Sequence, residues 1–212
     1  MGRGHFIVVE GLEGAGKSTA IHTVKQCLQS HGLEILATRE PGGTRVGDAT
    51  RHLIKETTQE EVLDPRAELL LLYASRVQLI ESVIRPALHR GVWVIADRFE
   101  LSTWAYQGGG RKLDPGMIRA LSSFCLNEIK PDLILFLDLP PEQGLKRARK
   151  RGKPDRIEQE SLAFFKDVYA GYHKQLKTMS NVIVIDACKP LAHVQHLIRA
   201  SLESYWLTHH EA

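Results

Sequence analysis

Between Gly11 and Thr19 the chain reads G-L-E-G-A-G-K-S-T, straight after the apolar run Phe6 to Val9. No other stretch restricts the fold as tightly. The spacing G-x-x-x-x-G-K-[ST] describes a glycine-rich turn that carries a buried strand into a helix and aims several backbone N–H groups at one point. Gly11, Gly14 and Gly16 allow backbone angles closed to other residues and let a phosphate chain come close. Leu12, Glu13, Ala15 and Thr19 complete the turn, Lys17 is placed to reach the terminal phosphates, and the Ser18 hydroxyl to ligate Mg²⁺. A chance match would lack the flanking strand and amphipathic helix, and this chain has both.

The rest of the chain repeats that pattern. A helix starts near Lys17 with Ile21, Val24, Cys27 and Leu28 on one face and ends near Gly32. Leu33 to Ala37, Val92 to Ala96, Leu133 to Leu137 and Val182 to Ile185 read as further short strands of the buried parallel type. The intervening segments read as helices. One carries Arg51 and Leu53. A long one opens at Pro65 with a stripe of Leu69, Leu72, Leu79, Val83 and Leu88, and Pro86 should kink or end it. Asp114 caps another through Ile129, Pro141 starts the next, and two amphipathic helices with Phe165 and Tyr172, then Val194 and Leu202, follow. The stripe of the long helix suits the core or a subunit interface equally. Strict alternation predicts right-handed crossovers and an α/β fold with a doubly wound parallel sheet, in one domain over 1–212. Pro41, Gly42 and Gly43 would leave Arg39, Glu40 and Arg45 on a loop at the sheet edge where ligands bind.

Charge is nearly balanced, 28 basic against 25 acidic residues, so no global attraction to nucleic acid or to an anionic membrane is expected. The three cysteines, Cys27, Cys125 and Cys188, are far apart and odd in number, which argues against a disulfide framework or zinc site and suits a reducing cytoplasm. No secretory segment precedes the first strand, and no apolar run approaches the ~18 residues of a membrane span.

The charged clusters then narrow the chemistry. A metal beside the phosphate turn needs a carboxylate, and Asp97 and Asp138 both end apolar strands. Asp97 is favoured because Arg98 adjoins it. The run Arg147 to Arg156 can be a solvated loop, a nucleic-acid patch or a mobile flap that brings guanidinium groups to a transferring phosphoryl. The absence of interleaved aromatics favours the flap. A phosphate acceptor, already ionised at neutral pH, needs positive charge rather than a base, and Arg51, Arg76 and Arg98 are candidate cations.

These residues resemble the bacterial type of thymidylate kinase over nearly the whole chain. The resemblance rests on E-G-L-E-G-A-G-K-S-T at 10–19, T-R-E-P-G-G-T at 38–44, Y-A-S-R-V-Q at 73–78, D-R-F at 97–99, A-Y-Q-G-G-G-R at 105–111 and D-R-I-E at 155–158. It implies a P-loop nucleoside monophosphate kinase fold with strand order 2-3-1-4-5, and transfer of phosphoryl from ATP to dTMP with Mg²⁺ by a cytoplasmic homodimer. It further implies that Glu13 lies near the sugar 3′-hydroxyl and acceptor phosphate, that Arg51 and Arg98 hold that phosphate, and that Arg76, Thr103 and Gln107 meet the base. Glu40 and Pro41 join this side, Tyr106 crowds the 2′ position, and Asp186 to Lys189 follow the adenine. With Ala15 and Gly14 in the turn, the catalytic arginine falls to the flap at 147–157, Arg151 foremost, with Arg147, Arg149 and Arg156 beside it. One position departs from the family, Leu72 standing where a phenylalanine stacks on thymine. Two other readings stay open: a nucleotide-dependent switch, and a kinase for dUMP, AMP or GMP.

Overall fold

The structure, a computed structural model, describes residues 3–56, 61–150, 152 and 154–210. Five parallel strands form one sheet in the order β2-β3-β1-β4-β5: β1 Phe6–Gly11, β2 Ile35–Arg39, β3 Trp93–Asp97, β4 Leu133–Asp138 and β5 Val182–Asp186. Every residue of β1 is buried, as a central strand covered on both faces requires. Its alternate side chains serve separate cores. Phe6 and Val8 pack with Phe99, Phe136, Phe165 and Tyr172, whereas Ile7 and Val9 pack with Val24, Leu28, Ile198 and Leu202. Cys27 belongs to the second core, as its helical face predicts.

Helices α1 Lys17–Ser30 and α9 Leu191–His210 lie together on one face of the sheet. Around the other face run α2 Arg45–Lys55, α3 Pro65–Leu79, α4 Arg85–His89, α5 Glu100–Thr103, α6 Pro115–Leu126, α7 Pro141–Arg149 and α8 Leu162–Leu176. The crossover order reverses between β1 and β3, so their C-terminal ends bound the crevice where ligands settle in such sheets. Val9 lies opposite Asp97 there.

Several boundaries move from those expected. The second and third strands begin later and run on through Arg39 and Asp97. Arg45 opens α2 and is not in the loop, because Thr44 caps that helix by accepting from the Gly47 N–H at 3.0 Å. Asp114 does cap α6, but Asn127 and Glu128 turn left-handed at φ 43° and 69° and end it before Ile129. Pro86 does not end the long helix. A wide π turn, Ile80–Ile84, precedes it, and the helix resumes as α4.

A second π segment, Trp104–Gly110, follows α5 and packs against α8. Glycine permits the contact: a methyl on Gly171 would sit 3.1 Å from Cα and O of Ala105, and one on Gly109 would sit 2.8 Å from the Asp167 carbonyl oxygen. No helix among the described residues is long and apolar enough to cross a membrane.

Candidate active site

Gly14 and Gly16 take φ 75° and 93°, and the turn they shape delivers α1 with its first N–H groups facing the crevice. Lys17 folds back over this turn, its ammonium donating to the carbonyl oxygens of Gly11 at 3.0 Å and Leu12 at 2.9 Å. Burial, and then the neighbouring Arg98 charge, push the Lys17 ammonium down to about 8, with Glu13, Asp97 and Glu10 opposing. The side chains of Leu12 and Ala15 are core residues, so of these two only the backbone can face a phosphate. Glu13, Gly14, Gly16, Lys17, Ser18 and Thr19 line one end of a cleft of about 440 Å³.

Arg98, directly after β3, forms the far wall. Its φ of 70° is left-handed, a conformation that costs a non-glycine residue roughly 1 kcal/mol. Surrounding bonds hold it there: its N–H donates to Val9 O at 3.0 Å, and its guanidinium donates to Glu13 Oε1 at 2.7 Å, Tyr172 Oη at 3.0 Å, Ser102 Oγ at 3.1 Å and Tyr106 Oη at 3.2 Å. The Tyr106 hydroxyl donates to Glu13 Oε2 in turn. Burial alone would raise the Glu13 carboxyl, but Arg98 and Lys17 outweigh it and hold Glu13 below the usual carboxylate range.

Beneath this cluster lies the residue that opens the 10–19 motif, to which the sequence assigned no role. Glu10, fully buried in β1, accepts from the Phe99 N–H at 2.8 Å, Ser102 Oγ at 2.7 Å and Tyr172 Oη at 3.0 Å. Burial raises its carboxyl, with Arg98 and these hydrogen bonds opposing. It ties β1 to the segment that carries Arg98, so the phosphate turn and the far wall keep one spacing.

The cleft continues toward α3. Arg76, 2% exposed, donates through Nε to Glu40 Oε2 at 2.7 Å, through Nη1 to Glu100 Oε2 at 2.6 Å and through Nη2 to Thr103 Oγ1 at 2.9 Å. Each guanidinium Nη keeps a second N–H. Leu72 lines the cleft one turn earlier, while the Tyr73 hydroxyl turns away to Glu100 and Ile118 O. Pro41, Arg51, Tyr106 and Gln107 also line it, Arg51 donating to Pro41 O at 3.2 Å.

The arginine-rich run divides. Arg147 lines the cleft and donates to Ala187 O at 3.0 Å, whereas Arg149, on the exposed side of α7, does not reach it. Arg151 lies outside the described residues. Asp155, Ile157 and Glu158 close the α2 side of the cleft. Lys55 pairs with Asp155 at 2.5 Å, and Arg156 donates through Nε to Ile54 O at 2.7 Å.

Asp97 and Asp138 part company as metal candidates. Asp97 lines the cleft and its buried Oδ1 has no hydrogen-bond partner among the described residues, while Asp138 lies outside the cleft and faces His173 Nε2 at 3.2 Å. An orphaned carboxylate oxygen beside a phosphate turn is the donor that Mg²⁺ accepts, so Asp97 and the Ser18 hydroxyl fit the metal.

The phosphate turn, the Arg98 wall and the Arg76 end thus line one continuous cleft. Sequence comparison points the same way. Residues 9–198 match the family described as thymidylate kinase. The thymidylate kinase of Legionella pneumophila strain Corby is 55% identical over 202 residues, 95% of each chain, and that of strain Paris is 54% identical over the same share. A family match along nearly the whole length, meeting a cleft built from the motifs that first suggested it, makes the chain a member of the thymidylate kinase family.

Proposed function

We propose that the cleft transfers the γ-phosphoryl group of ATP to dTMP, giving ADP and dTDP for dTTP synthesis, with the two nucleotides meeting head to head where β1 and β3 end. The observation that carries this reading is Arg98: one cation, fixed by four side chains, stands across from the phosphate turn and beside a second arginine-lined half. That arrangement suits an acceptor that is itself a phosphate.

In this reading the backbone from Gly11 to Thr19 cradles the triphosphate, and Lys17 exchanges its two carbonyl partners for the β- and γ-oxygens. Arg98 and Arg51 hold the acceptor phosphate in line, and Glu13 keeps Arg98 aimed while approaching the sugar 3′-hydroxyl. Tyr106 occupies the space a 2′-hydroxyl would need. Arg76, Thr103 and Gln107 address the thymine, with Leu72, Glu40 and Pro41 shaping its pocket. Ser18 and Asp97 hold Mg²⁺, which when bound neutralises charge on the transferring phosphoryl. The flap at 147–157 supplies Arg147 toward the ATP side and Arg151 toward the transferred group, a role that the turnover of Arg151→Ala reads. The enzyme works as a cytoplasmic homodimer. Supporting the dimer, α3 and α6 pack together and leave Leu70, Met117 and Phe124 exposed, Phe124 at 83%.

The test is ADP production from ATP with a panel of nucleoside monophosphates. The expected outcome is turnover that depends on the acceptor and is highest with dTMP. Slow hydrolysis indifferent to the acceptor would favour a switch, and preference for AMP or GMP another kinase of this fold.

A further inference from the structure

A glutamine at the edge of a base is ambiguous, because its amide offers a donor on one side and an acceptor on the other. Gln107 lines the base end of the cleft, and the structure resolves its ambiguity through a carboxylate on another helix. Gln107 Nε2 donates to Glu68 Oε1 at 2.8 Å, and its own amide oxygen accepts no bond among the described residues. Glu68, on the first turn of α3, is 1% exposed. Its other partners are guanidinium groups: Arg156 bonds its Oε2, and Arg111 approaches both oxygens at 3.4 Å. Burial alone would raise the Glu68 carboxyl, but Arg156, Arg111 and the Gln107 amide outweigh it and hold it below the usual range. An ionised carboxylate has no proton to give, so whatever faces it must donate. Gln107 therefore turns its NH₂ toward Glu68 and keeps its oxygen for the cleft.

We propose that Glu68 is a specificity-determining positioning residue: by holding the Gln107 amide in one orientation it presents an acceptor to the base edge, and so selects a pyrimidine whose ring nitrogen bears a proton over one whose ring nitrogen is a bare acceptor. This rests on the reading of the cleft as the dTMP site. Thymine offers N3–H and matches. Cytosine offers a lone pair at N3 and is met by another lone pair, the kind of mismatch that a polar site rejects strongly. Because Arg156 belongs to the root of the arginine-rich run, the same carboxylate also joins that run to the base pocket.

Glu68→Gln separates these roles. In that variant the Arg156 guanidinium keeps the new amide's oxygen, so its NH₂ faces Gln107 and reverses that side chain. The probe is 5-methyl-dCMP, which keeps the sugar, phosphate and methyl group of dTMP and inverts only the hydrogen-bonding edge. Steady-state kinetics of both nucleotides are measured in wild type and variant. The expected result is a fall of about tenfold or more in the dTMP preference over 5-methyl-dCMP in kcat/KM, carried by KM on both sides, with kcat for dTMP changed only about threefold or less. A preference that stays within about twofold, while activity on both nucleotides falls in step, would make Glu68 merely structural and overturn the proposal. Should the variant fail to fold, the wild type decides: side-chain amide protons of Gln107 that exchange slowly before dTMP is added support the proposal, and exchange at the rate of a free amide until dTMP binds overturns it. Wild-type protein that phosphorylates neither nucleotide overturns the reading of the cleft, and this inference with it.

Discussion

Arg98 Nη2 donates to Glu13 Oε1 across 2.7 Å, bridging the phosphate turn and the end of β3 with a pair whose side chains are 16% and 14% exposed. Truncating one member of a pair this buried leaves the other charge uncompensated, at about 3 kcal/mol. Arg98→Ala should therefore lose about 6–12 °C in Tm by calorimetry at pH 7, the scale expected for a chain of this size. Its kcat/KM for dTMP should fall by about 10²-fold or more, since the acceptor phosphate loses its fixed cation. Wild-type kinetics in a folded Arg98→Ala would remove Arg98 from the site.

Leu72 lies on the cleft wall one turn before Arg76, where a flat ring would face the base. Leu72→Phe should lower KM for dTMP by about two- to tenfold, the scale of an aromatic pair, with kcat little changed. An unchanged or higher KM would mean that the pocket already holds the base by other contacts.

Lys17 carries a pH prediction. In the free protein its ammonium titrates near pH 8, and triphosphate oxygens would stabilise the charged form and raise that value. The bound state thus takes up protons, so ATP affinity holds below about pH 7 and falls as pH climbs through 8. Titration calorimetry with a non-hydrolysable ATP analogue at pH 8.5, in buffers of different ionisation enthalpy, should register proton uptake. Lys17→Arg should abolish that uptake, and uptake that persists in this variant would assign the proton elsewhere.

At the metal position, Asp97→Asn removes the negative charge from the orphaned oxygen while preserving shape. The Mg²⁺ concentration for half-maximal activity should rise about tenfold or more, because Mg²⁺ is held by few protein carboxylates and each counts heavily. Chelation of the metal should stop turnover in the wild type and restoration of Mg²⁺ should recover it. An unchanged Mg²⁺ requirement in the variant would shift the carboxylate role away from Asp97.

Phe124 tests the proposed dimer. A phenylalanine this exposed beside Met117 on α6 is what a subunit interface covers, and a charge there opposes association. Phe124→Glu should sediment as a monomer under conditions where the wild type sediments as a dimer, with Tm as the check that the fold survives.

The sheet was legible because its central strands β1, β3 and β4 are buried on both faces and read as unbroken apolar runs, and because Gly11 to Thr19 permits little besides a strand, a turn and a helix. Edges were harder. Leu33 reads as strand, yet β2 starts at Ile35 on the sheet margin, and Leu33 spends its hydrophobicity against the core under α1. The stretch W-A-Y-Q-G-G-G has no helical periodicity, and Gly109 and Gly110 answer to α8 rather than to local propensity. Within the site, Lys17, Glu13 and Arg98 were visible because motif and chemistry lie close together in the chain. Glu10 and Glu68 were not. Their partners Tyr172 and Gln107 lie 162 and 39 residues away, and a lone acidic residue in an apolar stretch carries no mark of whom it will meet. A dense basic run likewise does not reveal which of its members line the cleft: Arg147 does and Arg149 does not.

The bare backbone contact between Gly109 and Gly171 has a mechanical consequence. With no side chain to act as a cushion, the segment bearing Tyr106 and Gln107 and the helix bearing Tyr172 have no slack between them, so they can travel only as one plate. On the Asp155 and Arg156 side of the cleft the attachments are instead ion pairs and single hydrogen bonds, with Ile157 alone of that stretch packed against the core, so a rearrangement there would disturb less packing.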